Sequence, residues 1–157
     1  KLIIAGNGSD KKNCIEIANA FPNNQIEFRE VAPGEVPELQ SQSDILLLPL
    51  KKGIAKTATP SKLTAYFLSA KPVIACVEDE SDVANIVNEA NCGFVIEPEN
   101  VEILTETMQK AYRIKQSGLE SLGTNGREYA LRNLSKKINL QKVVTIIESL
   151  VDGNKKD

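Results

Sequence analysis

DILLLPLKKGIAKTATPSKLTAYFLSAKPVIACV, residues 44 to 77, decides the fold. It opens on an apolar run from Ile45 to Pro49 and passes through a lysine-bearing loop from Leu50 to Thr59. A helical stretch from Pro60 to Ala70 leads back to an apolar run, Val73 to Val77. Neither run alternates with polar residues, which is the pattern of a strand covered on both faces by crossover helices. Outward from this unit, Leu2 to Ala5, Ile26 to Val31 and Phe94 to Ile96 are further short β-rich runs separated by helical stretches. The expected fold is α/β, an open parallel, Rossmann-like sheet with helices on both faces.

No strand signal follows Ile96, so the last third, from Val101 onward, reads as helical. Three apolar stripes recur at helical spacing: Val83, Ile86, Val87 and Ala90; Leu104, Met108, Ala111 and Tyr112; and Leu140, Val143, Val144, Ile147 and Leu150, the last expected to stay exposed here and to pack against another part of the intact protein. No linker or repeat divides the chain, and residues 1–157 read as a single domain. The first residues already form a buried-strand pattern and Met108 is the only methionine, so the chain reads as a piece of something longer.

The deciding stretch is also electrostatically unusual. From Ile45 to Val77 there is no Asp or Glu, although 21 carboxylates in 157 residues would place about four there. Lys51, Lys52, Lys56, Lys62 and Lys71 lie in the same window. Thr59 fits an N-cap and Pro60 the first helical position, which leaves the N–H groups of Ser61, Lys62 and Leu63 pointing out of the helix end. A helix start carries roughly half a positive charge, and Lys62 with the loop lysines reinforces it, so a diphosphate fits there. A capped helix with solvated lysines explains the same residues without a ligand; the missing carboxylates favour the anion.

Composition excludes other classes. A net charge of −2 and 4% aromatic residues do not suit a nucleic-acid binder. With no histidine, Ser-His-Asp and Cys-His nucleophiles and the usual zinc sites are absent, so no metal or other cofactor is expected. Cys14, Cys76 and Cys92 lack a CxxC spacing and read as reduced core cysteines of a cytoplasmic protein. No apolar run is long enough to span a membrane.

Three further loops are candidates. Gly6-Asn7-Gly8 follows the first strand, with Lys11 where the third glycine of a dinucleotide fingerprint would stand. A tight turn explains it, although ligands of open α/β sheets bind at that end of a strand. Ala32, Pro33 and Val36 belong to a proline-stiffened loop before a short helix, Glu35 to Gln42, which serves either as a rigid connection or to read the edge of a base. Glu78 to Asp82 reads as acidic residues at a helix start, favourable to its dipole and solvated.

The succession of SDILLLPL, PSKLTAYFLSAKPVIA, NCGFVIEP and LGTNGREYA resembles the donor-binding C-terminal domain of retaining glycosyltransferases with the two-domain GT-B architecture, family 4 type. The resemblance implies that a nucleotide sugar, a UDP-sugar first, is the donor for transfer to a surface polysaccharide or lipid-linked acceptor. It places the base at Ala32, Pro33 and Val36, and the sugar and diphosphate at Thr57, Thr59, Pro60, Ser61, Lys62 and Leu63, with Lys51 and Lys56 as helpers. No catalytic residue is assigned, and the Gly6 and Gly8 loop is a lesser candidate. The family's paired glutamates, eight positions apart, are replaced by Thr57 and Ala65, and the glycine common before KPV is Ala70. The resemblance also implies partners: an N-terminal acceptor domain of the same protein and, through that domain alone, contact with the inner face of a membrane. Neither that domain nor the first strand of the donor domain lies in these residues, so the chain alone is expected to bind nucleotide weakly and turn nothing over. A sugar-nucleotide epimerase of the same architecture and a non-enzymatic flavodoxin-like regulatory or interaction domain are the alternatives.

Overall fold

The computed structural model describes residues 1–32, 34–55 and 60–153, and these fall into two compact units, Lys1–Leu39 and Gln40–Asp157. All five expected strands form, within two residues of the expected ends, and every pairing is parallel.

The first unit is a β-α-β crossover. β1, Leu2–Ala5, pairs with β2, Ile26–Arg29, in the register Leu2↔Ile26 to Ala5↔Arg29, and α1, Lys11–Asn19, connects them. Glu27 on β2 receives Lys1 and Arg29, and Lys11 reaches Glu30 at 2.6 Å. These pairs hold the Glu27 and Glu30 carboxyls below the usual carboxylate range, chiefly through the hydrogen bonds from Lys1 and Lys11 respectively. α2, Val36–Ser41, crosses the boundary between the units in sequence.

The second unit holds the sheet β3-β4-β5, made of Leu46–Pro49, Val73–Cys76 and Gly93–Ile96. α3, Ser61–Leu68, joins β3 to β4, and α4, Asp82–Glu89, joins β4 to β5. All of β4 is buried, as the unbroken VIAC run predicts. Strand alternation then sorts its side chains. Val73, Ala75 and Val77 enter one cluster with Leu63 and Phe67 of α3 and Val83 and Val87 of α4, while Ile74 and Cys76 enter another with Ile96 and Leu104. Helices therefore cover both faces. At roughly 1.5–3 kcal/mol for each large apolar side chain removed from water, the first cluster dominates the stability of this unit.

α5, Val101–Arg113, supplies Leu104 to the second cluster, but its inward line is rotated from the expected stripe. Ala111 is fully buried, whereas Met108 is 43% and Tyr112 90% exposed. Half-buried Thr107 and Ile114 complete the inner face, because the row 104, 107, 111, 114 meets the sheet.

α6, Gln116–Tyr129, runs into a π-helical turn, Ala130–Leu134, and then α7, Lys136–Gly153. The LGTNGREYA segment is a packing device. A Cβ at Gly123 would lie 2.1 Å from the Ala70 carbonyl oxygen, and one at Gly126 3.1 Å from Cys92 Cβ, so α6 lies closer to the α3–β4 turn than any side chain permits. Tyr129 stacks edge-on against Phe67 at 6.3 Å and donates its hydroxyl to Glu89 at 3.1 Å. Ala70 itself has φ 55°, a left-handed conformation that suits glycine, which is why the family's usual residue there is the less strained one.

Cys76 and Cys92 are buried as expected; Cys14 is not, because it sits on the half-covered side of α1. Burial pushes the Cys92 thiol up to about 12 and raises Cys76 as well. No helix among the described residues is long and apolar enough to cross a membrane.

Candidate functional site

β3, β4 and β5 end in register, Pro49 opposite Cys76 and Cys76 opposite Ile96, so the three following loops start side by side. The lysine loop leaves β3. Leu50 N–H donates to the Cys76 carbonyl at 3.2 Å, Ile54 N–H closes a turn onto Lys51 O at 3.1 Å, and Gly53 supplies the left-handed residue at φ 88°. Ala55 then returns to the core.

Two of this loop's amides are taken by the protein's own carboxylates. Gly53 N–H donates to Glu78 Oε1, and Lys52 N–H to Glu99 Oε1 at 3.4 Å. The Lys52 ammonium also pairs with Glu97 at 3.6 Å. The lysine loop, expected to be purely cationic, is therefore tied to carboxylates from beyond its own window. Glu78 is not the solvated helix-start acid expected of it. It is 8% exposed, because the chain continues along β4 through Val77, whose N–H still pairs with Ile96 O at 2.9 Å. The helix-start role falls to Ser81, whose Oγ accepts from Ala84 N–H at 3.2 Å and donates to Glu78 O at 2.6 Å.

The start of α3 differs from expectation by one residue. Pro60, at φ −68° and ψ 134°, is the N-cap, and the first helical residue is Ser61. Proline's fixed φ suits both positions, so the sequence could not separate them. The shift matters, because Leu63 N–H now donates to Pro60 O at 3.0 Å and Leu63 is buried, which withdraws it from any anion. Among the described residues, the N–H groups of Ser61 and Lys62 meet no acceptor, and Lys51 and Lys62 make no ion pair. Both lysines are exposed. Lys56, Thr57, Thr59 and Pro33 lie outside the described residues.

Beside the loop, Leu50, Lys51, Cys76, Glu97, Asn100 and Leu104 help to line a cleft of about 350 Å³. Its lining is mainly apolar, with Lys51, Glu97 and Glu99 as the charged residues.

In the first unit, Gly6 has φ 149° and donates its N–H to Arg29 O at 3.1 Å; Gly8 O receives Lys11 N–H at 3.1 Å as α1 begins. That is the geometry of a strand-to-helix turn. Ala32 and Glu35 close on each other: Ala32 N–H donates to Glu35 Oε2 at 3.1 Å, and Glu35 N–H to Ala32 O at 3.1 Å. The backbone groups of Ala32 are thus occupied, while Val36 is exposed.

The structure overlays on that of WaaG, a glycosyltransferase involved in lipopolysaccharide biosynthesis, with a TM-score of 0.62 and 26% identity, covering 82% of this chain and 33% of that one. It overlays on Anabaena Alr3699/HepE, solved in complex with UDP, with a TM-score of 0.70 over 94% of this chain and 40% of that one; at 15% identity this likeness shows the fold alone. Residues 1–129 match the family described as glycosyl transferases group 1, and the chain belongs to that family. The probable glycosyltransferase WbjE of Pseudomonas aeruginosa is 29% identical over 114 residues, 71% of this chain. This chain spans 27% of the length of that relative. The likeness to the C-terminal domain of GT-B glycosyltransferases, drawn from the motifs, is borne out.

Proposed function

We propose that this chain binds a nucleotide-sugar donor, a UDP-sugar first, by its diphosphate at the start of α3, in the service of glycosyl transfer with retention. One observation carries this: among the described residues the Ser61 and Lys62 N–H groups at the start of α3 meet no acceptor and the Lys62 ammonium makes no ion pair, in a member of a glycosyltransferase family. Two N–H donors and the helix dipole favour an anion, and the Lys62 ammonium adds a point charge. When the glycosidic bond to the diphosphate breaks, negative charge grows on the leaving oxygen, and fixed donors near it lower the barrier because they need not reorganise. In this reading those groups serve where a metal ion would otherwise be needed. A relative of the same fold was crystallised with UDP, which supports the choice of nucleotide.

The acceptor, a polysaccharide or a lipid-linked sugar, is assigned to another part of the same protein, working in the cytoplasm or at the inner face of a membrane. α7 is the proposed contact with that part, since Leu140, Val143, Ile147 and Leu150 on one side of it are all more than half exposed. The test is an amide-shift titration with UDP, UDP-sugars and GDP-sugars, repeated on Lys62→Ala. Shifts should centre on Ser61 and Lys62, and the variant should bind about tenfold more weakly. Undisturbed amides at Ser61 and Lys62, or equal affinity in the variant, would refute the proposal.

A further inference from the structure

We propose that Glu78 is a positioning residue for the donor: by holding Gly53 N–H, its buried carboxylate fixes the turn that presents Lys51. The assignment of a role in donor binding rests on the function proposed above; the clamp itself does not. Glu78 is well placed for this task. Its own backbone is locked, because its carbonyl receives both Ser81 N–H at 3.0 Å and Ser81 Oγ at 2.6 Å, and the preceding Val77 is tied to β5. Its side chain therefore projects from the rigid end of the central strand, and a bond from such a group transmits that rigidity to the loop it holds.

The loop needs such a hold. Between Leu50, which ends the β3–β4 ladder, and Ala55, which is buried, the chain turns through a glycine at φ 88° with no neighbour within 4 Å of where a Cβ would be. No side chain packs on the turn at Gly53, so its geometry there depends on polar ties. Glu99 is exposed and its bond to Lys52 N–H is long at 3.4 Å, whereas Glu78 is buried and shielded from water, where a charged acceptor binds an N–H most strongly. Lys52 is drawn toward Glu97 and Glu99, which among the described residues leaves Lys51 as the cation that the turn offers.

Two substitutions separate accepting a hydrogen bond from carrying a charge. Glu78→Gln keeps an oxygen for Gly53 N–H and removes a negative charge near the donor's phosphates; Glu78→Ala removes the acceptor. Amide hydrogen exchange without nucleotide reads the clamp directly: Gly53 should exchange at least tenfold faster in Glu78→Ala and at an intermediate rate in Glu78→Gln, whose neutral oxygen accepts more weakly. A UDP titration reads the role. Glu78→Ala should bind about tenfold more weakly, and Glu78→Gln at least as tightly as the parent. Unchanged Gly53 exchange in Glu78→Ala overturns the clamp, and fast exchange with unchanged UDP affinity overturns the positioning role. If the parent chain fails to bind UDP, the donor-binding reading and with it the positioning role fall, while the exchange comparison still decides the clamp. Should Glu78→Ala not fold, Glu78→Asp, one methylene too short to reach Gly53, takes its place in the same comparison.

Discussion

Gly123→Ala tests whether the LGTNGREYA segment serves packing. The added Cβ would stand 2.1 Å from the Ala70 oxygen, 2.6 Å from the Ala70 carbonyl carbon and 3.0 Å from Lys71 N, all backbone atoms that no side-chain rotation can move. Restoring an ordinary contact of about 3.5 Å requires α6 to retreat by more than 1 Å, which opens its contacts with Phe67 and Cys92. Overpacking of this kind costs about 3 kcal/mol, and the better helix propensity of alanine returns about 1 kcal/mol, leaving a net loss near 2 kcal/mol. For a chain of this size that is a fall in Tm of roughly 4–8 °C. Gly118→Ala is the control. There the new methyl meets only Ile114 Cγ2, at 2.7 Å, a side-chain end that can rotate away, so the propensity gain should dominate and stability should hold or rise. Circular dichroism melts and urea titrations of both variants measure the difference. A Gly123→Ala protein as stable as its parent, or a Gly118→Ala protein that loses as much, would refute the packing account.

Ala70→Gly removes a left-handed alanine and should stabilise the chain by up to about 1 kcal/mol, seen as a higher urea midpoint with unchanged slope. Ser81→Ala removes the buried cap of α4 and should cost about 1–2 kcal/mol in the same assay; a loss below 0.5 kcal/mol would show the cap to be idle. The Cys92 thiol, pushed up to about 12 by burial, is raised above its unfolded value of 9.0, so its contribution to stability is complete below pH 9.0 and is lost as pH rises from there toward 12. Urea midpoints should fall across that window, and less steeply in Cys92→Ala after its own cavity cost is subtracted. A thiol reagent at pH 8 should label Cys14 in the folded chain and spare Cys92.

The strands of the second unit were legible because a short apolar run without alternation has few other uses in such a chain, and ILLLP and PVIACV also announced parallel pairing; β2, Ile26–Arg29, alternates instead and was legible by that period. Helical periodicity placed α4 and its buried face correctly. In α5 it chose the more apolar row, Met108 and Tyr112, over the row through Thr107 that meets the sheet, because periodicity reports hydrophobicity and the orientation of a helix is set by its neighbours. The lysines and the start of α3 were visible as composition. What composition could not show was that carboxylates absent from the window itself reach it from the loops after β4 and β5. Glu78, Glu97 and Glu99 lie 25 or more positions from their partners in sequence, and only the parallel register brings those loops together. Likewise, Glu78 belongs to an acidic run that reads as exposed, and its burial follows from the chain keeping its strand course through Val77.

Because Pro49, Cys76 and Ile96 stop at one level, the segments that follow them rise from a common ledge while the hydrophobic clusters lie beneath it. Exchanging one of those segments for that of another family member would alter what the ledge recognises without disturbing the packed layers. The exception is the segment after β4, which carries the carboxylate that steadies its neighbour. A transplant there would have to bring along both Glu78 and the turn at Gly53, or the new specificity would arrive on an unsupported loop.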